Sequence, residues 1–405
     1  MRKQGWIAAA TLATAFWGGS AALAEESKES KFDMSKGAPT WSYGNSSLSF
    51  GMFAHLRFVA ADQEQFDADT AGPGLGREDG VSTGFKVLRV RLGLKGTIFQ
   101  PWVRYAVSYE LSETSGDRDA KFKDAYLEFG KAAMATVRAG QFKMPFSLQE
   151  LAPDQNQLFP ERAVTNIFAP GREQGAGLVG LSAQKRFGYA VAVGNGAGES
   201  KSQDDQGLMY VGRAWWDPFG EYKLGEGTLD APDKSILHVG AGYRTGEPGR
   251  GYKPGGAWED PNNQDAWNLE LAWKWKRWYA TAEYFAQTTE AKNSATTTGP
   301  DVDSDGWHVQ GAFAAIPQKL EFGARYAAVD GDTDRSDGEV TETRALVNYY
   351  WWGHNLKLQF DVGTLKFQDN APGRITNTIS LADGARLVAG DVTDTVARLQ
   401  LQFNF

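Results

Sequence analysis

The sequence predicts an all-β fold, a transmembrane antiparallel β-barrel of sixteen strands, and three observations predict it. Apolar and polar residues alternate with a period of two along most of the chain, the links between these runs are short and long in turn, and aromatic residues gather at the ends of the runs. A period of two sends successive side chains to opposite faces, so each run has one face for lipid and one for water. Helical periodicity is scarce.

The chain has 405 residues, and the first 24 read as an export signal. Arg2 and Lys3 precede an apolar run from Trp6 to Trp17, and Ala22-Leu23-Ala24 offers small residues for cleavage before Glu25. Such a run is too short, and wrongly flanked, for a retained anchor. Residues 25–47 read as a polar lead-in and 48–405 as the barrel.

Composition narrows the classes. There are 42 Lys+Arg against 50 Asp+Glu, a net charge of −8 that becomes −10 once Arg2 and Lys3 are removed. Nucleic acid is therefore not an expected partner, since its phosphates need a basic surface. Without cysteine no disulfide framework forms. Mean hydropathy is −0.45, and no long helix-like apolar stretch follows the signal. That excludes a helical membrane protein but not a barrel, whose strands are apolar on one face only.

In chain order the alternation predicts strands over 48–60, 84–98, 102–111, 121–129, 134–144, 176–184, 187–195, 208–216, 235–244, 266–275, 277–286, 306–316, 319–329, 341–351, 355–363 and 394–405. The last is the cleanest: Thr395, Ala397, Leu399, Leu401, Phe403 and Phe405 share one face, with Val396, Arg398, Gln400, Gln402 and Asn404 on the other. The sixth and seventh are blurred by Gly and Ala. An even count lets an antiparallel barrel close with both ends on one side.

Short links fall near Gln100-Pro101, Gly130 to Ala133, Lys185-Arg186, Lys276-Arg277, Pro317-Gln318 and Gly353-His354, as periplasmic turns should. Residues 61–83, 145–175, 245–265, 287–305, 330–340 and 364–393 make long external loops. The nominal periplasmic link at 217–234 is long and rich in Gly and Asp, which leaves room for an extra structured excursion. Trp102, Trp215, Trp216, Trp275, Trp278, Tyr349, Tyr350, Trp351 and Trp352 sit beside turns, where interfacial belts place amphipathic rings.

Strand parity turns Arg89, Arg91, Lys95, Arg104, Arg138, Arg213 and Arg398 inward if the apolar partners face lipid. A guanidinium stays cationic and offers a fixed fork of donors, so arginines on a wet wall can partly replace an anion's hydration. The same parity turns Glu110, Asp124, Glu128, Glu270, Glu283, Glu321, Glu342 and Asp361 inward, which predicts a transverse field. Residues 61–83 carry six acids against Arg77, and 330–340 carry five against Arg335.

The run Val137-Arg138-Ala139-Gly140-Gln141-Phe142-Lys143-Met144-Pro145-Phe146-Ser147-Leu148-Gln149-Glu150-Leu151 resembles the phosphate-selective porin O/P family of Gram-negative outer membranes. Pro160-Glu161-Arg162 and Ala169 to Gly175 look like that family's third-loop region. Leu88 to Gly96, Phe122 to Phe129 and Val347 to Tyr350 fit it as well.

The resemblance implies a homotrimeric sixteen-stranded porin whose third external loop folds into the lumen and constricts the pore. It also implies passive diffusion of small anions, with phosphate or polyphosphate as the specific candidates. General small-solute diffusion with weak or cation selectivity is the alternative. Lys143 stands at the entrance of that loop, and Arg162 and Arg172 lie in it. Either they meet anions or they pair with Asp154, Glu161 or Glu173 and pin the loop. Expected partners are pore anions, outer-membrane lipid and lipopolysaccharide, and the barrel-assembly machinery through the terminal Phe405.

No cofactor or metal is expected. His55, His238, His308 and His354 lack the spacing of a zinc site, and the first three read as polar lumen residues. The glycines of 171–175 and 194–198 lack the Lys and Ser/Thr of a phosphate-binding loop. No enzyme is expected either, since nothing in the spacing selects a nucleophile and base such as Ser108 with His55.

Overall fold

The structure, a computed structural model, describes residues 30–34, 37–63, 80–111, 121–201, 207–246, 251–252, 258–259, 263–290, 301–336, 338–368 and 391–405. The export signal and most of the acidic 61–83 segment lie outside the described residues, as do large parts of the other long external loops.

Sixteen strands close into one antiparallel barrel. They are β1 Ser46–Gln63, β2 Gly80–Ile98, β3 Gln100–Glu110, β4 Lys121–Ala132, β5 Ala135–Lys143, β6 Arg172–Leu181, β7 Phe187–Gly194, β8 Met209–Trp216, β9 Ile236–Gly246, β10 Gln264–Trp275, β11 Trp278–Thr289, β12 Val302–Ile316, β13 Leu320–Asp330, β14 Glu339–Tyr350, β15 Leu356–Phe367 and β16 Val392–Asn404. Each pairs with the next, and β16 closes on β1 with Leu399 opposite Phe58 and Leu401 opposite Leu56. Every expected strand is present, with ends displaced by a few residues. Part of the segment read as a lead-in is also strand: Lys31–Asp33 pairs with Thr40–Tyr43, which pairs in turn with the start of β1.

The barrel is built inside out relative to a water-soluble protein, because its solvent-filled side is the interior. Along β16, Arg398, Gln400 and Gln402 are buried while Leu399 is exposed. On β10, Trp267, Leu269 and Leu271 face outward, and Asn268, Glu270 and Lys274 are buried within. Inward polar groups find one another or water, and the outer band meets lipid, so the alternation satisfies both solvents at once.

Periplasmic turns are tight, and their reversing residues adopt left-handed backbone: Phe99 at φ 62°, Lys185 at 55°, Lys276 at 53°, Gln318 at 59° and Gly353 at 55°. A residue in this conformation lets a short link reverse the chain while matching the twist of the flanking strands, as in the two-residue Lys276-Arg277 link. Trp216, Trp275, Trp278, Tyr349, Trp351 and Trp352 are exposed beside these turns, as a belt requires. Two expected belt residues are not in it. Tyr350 is buried and donates to Glu321 Oε2 (2.5 Å), and Trp215 shares the inward face of β8 with Arg213, whose guanidinium lies 4.6 Å above its ring. Both follow strand parity rather than their distance from the turn.

Candidate permeation pathway

Two chain segments lie inside the barrel. The first, residues 144–171, is the third external connection. Ser147 caps its short helix Leu148–Leu151 by accepting from Glu150 N (3.2 Å), and Glu283 accepts from Leu148 N and Gln149 N at 3.0 and 2.7 Å. Met144, Phe146, Leu158, Phe159 and Phe168 are buried, with Phe168 stacked on Phe285 at 5.6 Å. Loop carbonyls meet donors on the wall: Lys357 Nζ bonds Gln157 O (2.9 Å), Gln359 Nε2 and Asn348 Nδ2 bond Leu158 O (2.9 and 3.0 Å), and Arg57 bonds Pro160 O (3.0 Å). A buried carbonyl without a donor costs on the order of 1–3 kcal/mol, so these inward side chains hold the backbone against one wall.

Charge pairs add to this. Glu161 lies between Arg57 (2.7 Å) and Arg89 (2.9 Å), and Asp154 between Arg91 (2.8 Å) and Arg162 (2.7 Å). Arg162 also reaches Glu150 at 3.2 Å, and Lys143 Nζ donates to the carbonyls of Glu150 and Ala152. Burial alone would raise these carboxyls. The guanidiniums outweigh it, holding Glu161 and Asp154 well below the usual carboxylate range and Glu150 below its ordinary value.

The second segment is the long periplasmic connection after β8. Tyr222, Glu226 and Thr228 are buried. Its Glu226 accepts from Gln149 Nε2 (2.9 Å) and Leu158 N (2.8 Å), while Glu226 N donates to Asn156 O (2.8 Å). Thr228 N donates to Glu321 (2.6 Å), and Lys274 holds Asp230 at 2.7 Å. Segments entering from opposite ends of the barrel therefore meet on one carboxylate.

The two segments occupy one side of the lumen. Beside them, against β1–β6, lies an open space of about 600 Å³. Arg91, Lys95, Arg138, Lys143 and Arg172 line it, with Asp124 and Asp154 as its only lining carboxylates among the described residues. Arg172 pairs with Asp124 at 3.0 Å rather than with any of the three acids weighed from the sequence, and Glu173 instead accepts from Gly198 N (2.9 Å). Arg104 and Arg138 share Glu128 at 2.9 and 2.6 Å. Lys95 is exposed to the lumen and has no charged or hydrogen-bonded partner among the described residues.

The inward-facing cations thus divide. Arg91, Lys95, Arg104, Arg138, Lys143 and Arg172 surround the open side. Arg89 and Arg162 are bound to loop carboxylates, and Arg91 reaches one of them, Asp154, from the open side. Arg398 is paired with Asp361 in the filled half, and Arg213 with Glu270 beside His238. Sequence reasoning passed over Arg57, Arg325 and Arg344, although their parity, opposite to that of the exposed Leu56, Phe322 and Tyr349, would have turned them inward. Among the described residues no group of three or more His, Asp and Glu side chains is placed to hold a metal, and Ser108 bonds Asp124 (3.1 Å).

A closed sixteen-stranded barrel with a polar, charged lumen and an apolar outer band defines an outer-membrane porin. The family model for phosphate-selective porin O and P matches residues 55–405, and the chain belongs to that family. It is a Gram-negative outer-membrane β-barrel channel. No curated protein matches the chain. Among solved structures it is similar to the anion-selective porin from Comamonas acidovorans (TM-score 0.58, 12% identity, 89% of this chain and 100% of that one). It is also similar to the outer membrane channel DcaP of Acinetobacter baumannii (0.53, 13%, 88% and 97%) and to the trimer form of in-vitro folded OmpT of Vibrio cholerae (0.53, 11%, 89% and 100%).

Proposed function

We propose that the protein is a passive, anion-preferring diffusion channel, driven by the solute gradient, with no cofactor and no catalytic step. The charge at the surface of the open passage carries this reading: five cationic side chains line it against two acidic ones, while Glu110, Glu128 and Glu150, which pair with Arg91, Arg138 and Lys143, are buried and do not line it. In a narrow aqueous space with low-dielectric walls such an excess raises the local anion concentration and repels cations. Among the described residues Lys95 contributes an ammonium with no partner and Arg138 keeps its Nη1 unbonded, and Arg104 stands half-exposed beside Glu128. Arg91, Lys143 and Arg172 supply field more than free donors, because carboxylates or carbonyls occupy much of their valence.

Phosphate and polyphosphate pass on this reading as anions drawn by wall charge. Over 144–171 the loop carries Arg162 as its one cation against Glu150, Asp154 and Glu161, so it adds no basic cluster of its own. The family description and the anion-selective Comamonas porin support the anion preference, and the trimeric OmpT form supports a homotrimer. The terminal Phe405 is exposed, available to lipid and to the barrel-assembly machinery.

The test is the reversal potential of the purified protein in planar bilayers under a KCl gradient, then phosphate titration of the chloride current. The expected result is anion-selective reversal with saturable phosphate block only at high concentration. A cation-selective reversal potential overturns the proposal, and a tight phosphate block replaces it with a phosphate-binding channel.

A further inference from the structure

A second cavity opens off the passage beneath the third loop. Its volume is about 300 Å³, and it shares Arg138, Lys143, Leu151 and Leu224 with the passage, so the two adjoin along these residues. Its walls differ in kind. Phe142, Val179, Ala192, Trp215 and Pro145 line it, and apolar groups make up a larger share of its surface than of the passage's. Small residues on β6 and β7 make the room. At Gly177 an added Cβ would stand 3.3 Å from Phe142 Cζ and 3.4 Å from Ala192 Cβ, so glycine lets the phenyl ring lie on the wall.

Charge is distributed unevenly along this recess. At the end shared with the passage stand Lys143 and the free Nη1 of Arg138, whose guanidinium also lies 5.4 Å from the Phe142 ring. At the other end each acid has a partner of its own, Asp217 with His238 and Glu221 with Lys185, and the Arg213 charge is matched by Glu270, so no cation there is left for an anion. An occupant would place its anionic group at the passage and its apolar body toward Trp215. Engineered apolar cavities of roughly 150 Å³ already hold benzene, so a single ring bearing a carboxylate fits the volume.

We infer that this recess is a binding site for small aromatic carboxylates, which the channel retains and conducts in preference to compact anions of the same charge. The inference rests on the anion-preferring reading and names a substrate class for it. Inorganic phosphate, with no apolar surface to bury, gains nothing from the recess. A ring carboxylate removes apolar area from water while keeping its charge beside two cations.

The experiment uses the full chain in planar bilayers and follows chloride current during titration with benzoate and, separately, acetate. Benzoate is expected to reduce the current saturably with a half-blocking concentration at least about tenfold below that of acetate. Trp215→Ala is expected to bring the two half-blocking concentrations about fivefold closer, since aromatic stacking and burial are lost together. Val179→Ser, a smaller change in the same wall, should move the ratio the same way by a lesser factor, and heat-modified gel mobility reports whether each variant is a folded barrel. Equal half-blocking concentrations in an anion-selective wild-type channel, or a ratio that both folded variants leave alone, overturn this inference only. A cation-selective wild-type channel overturns the anion-preferring reading beneath it.

Discussion

The two halves of the lumen use the same residue types to opposite ends. On the filled side Arg57, Arg325, Arg344 and Arg398 are nearly inaccessible and spend their donors on Glu161, Glu342 and Asp361. On the open side Arg104 keeps 48% of its side chain exposed and Arg138 28%, although both share Glu128. Guanidinium–carboxylate pairing is common to both. The difference is backbone: a loop seated on the wall converts its charges into fasteners, and an empty wall leaves them to the solute. An inward arginine therefore says little about selectivity until one knows whether chain or water lies in front of it.

The sharpest way to break this division is Glu161→Ala. Removing one partner from a buried charge group typically costs on the order of 3–5 kcal/mol, and here Arg57 and Arg89 lose their shared carboxylate together. We expect the third loop to detach, single-channel conductance to rise severalfold and current noise to increase. An unchanged conductance would mean that carbonyl bonds and the buried phenylalanines suffice to seat the loop.

Next in size is Glu226→Ala, which leaves Gln149 Nε2 and Leu158 N without their acceptor. Each such bond to a charged group contributes about 1.5–3 kcal/mol. The expected outcome is a lower denaturation midpoint and faster proteolysis within 217–235 added from the periplasmic side. Wild-type resistance would show the two lumenal segments to be independent.

On the open side, Lys95→Glu reverses a charge with no partner among the described residues. At a few ångströms through water each unit of charge is worth roughly 1 kcal/mol to a passing ion, so this two-unit change is worth about 2 kcal/mol, at least about thirtyfold in the anion-to-cation permeability ratio read from the reversal potential. The matching reversal Arg398→Glu in the filled half should act through folding rather than selectivity.

Acidification tests the fasteners by a different route. Glu150, Asp154 and Glu161 have folded-state values depressed below their ordinary ones. Their contribution is thus fully present above the ordinary carboxylate value near 4 and lost only as pH falls through the lower folded values. These pairs should hold from neutral pH to about pH 4 and give way only in stronger acid, read as a rise in conductance below about pH 4. A conductance that strong acid leaves unchanged would contradict the pairing.

The smallest effect is expected at Lys185→Gln. Its pair with Glu221 spans 3.1 Å, but both side chains are about half-exposed at the periplasmic rim. Exposed pairs contribute under about 1 kcal/mol, so thermal stability should barely move.

Much of this architecture was legible in the residues. Period-two alternation located all sixteen strands, since a strand between lipid and water must carry one solvent on each face. Parity then turned Arg138, Glu128 and Arg398 inward with no tertiary information. Legibility failed where a side chain's environment is made by distant chain. Nothing near Arg172 marks Asp124 as its partner, and Glu226, in an anomalously long turn, gives no hint that it meets Gln149 and Leu158. Trp215 and Tyr350 were misplaced because proximity to a turn was weighed above parity.

By itself the sequence determined the barrel, its strand count and the inward set of charges, because these follow from a local two-residue repeat read against two solvents. Only the tertiary structure decided which of those charges face an open path. That choice depends on how two long connections fold back into the lumen, and their seats are single bonds between residues more than a hundred positions apart, such as Gln359 with Leu158 and Arg57 with Pro160.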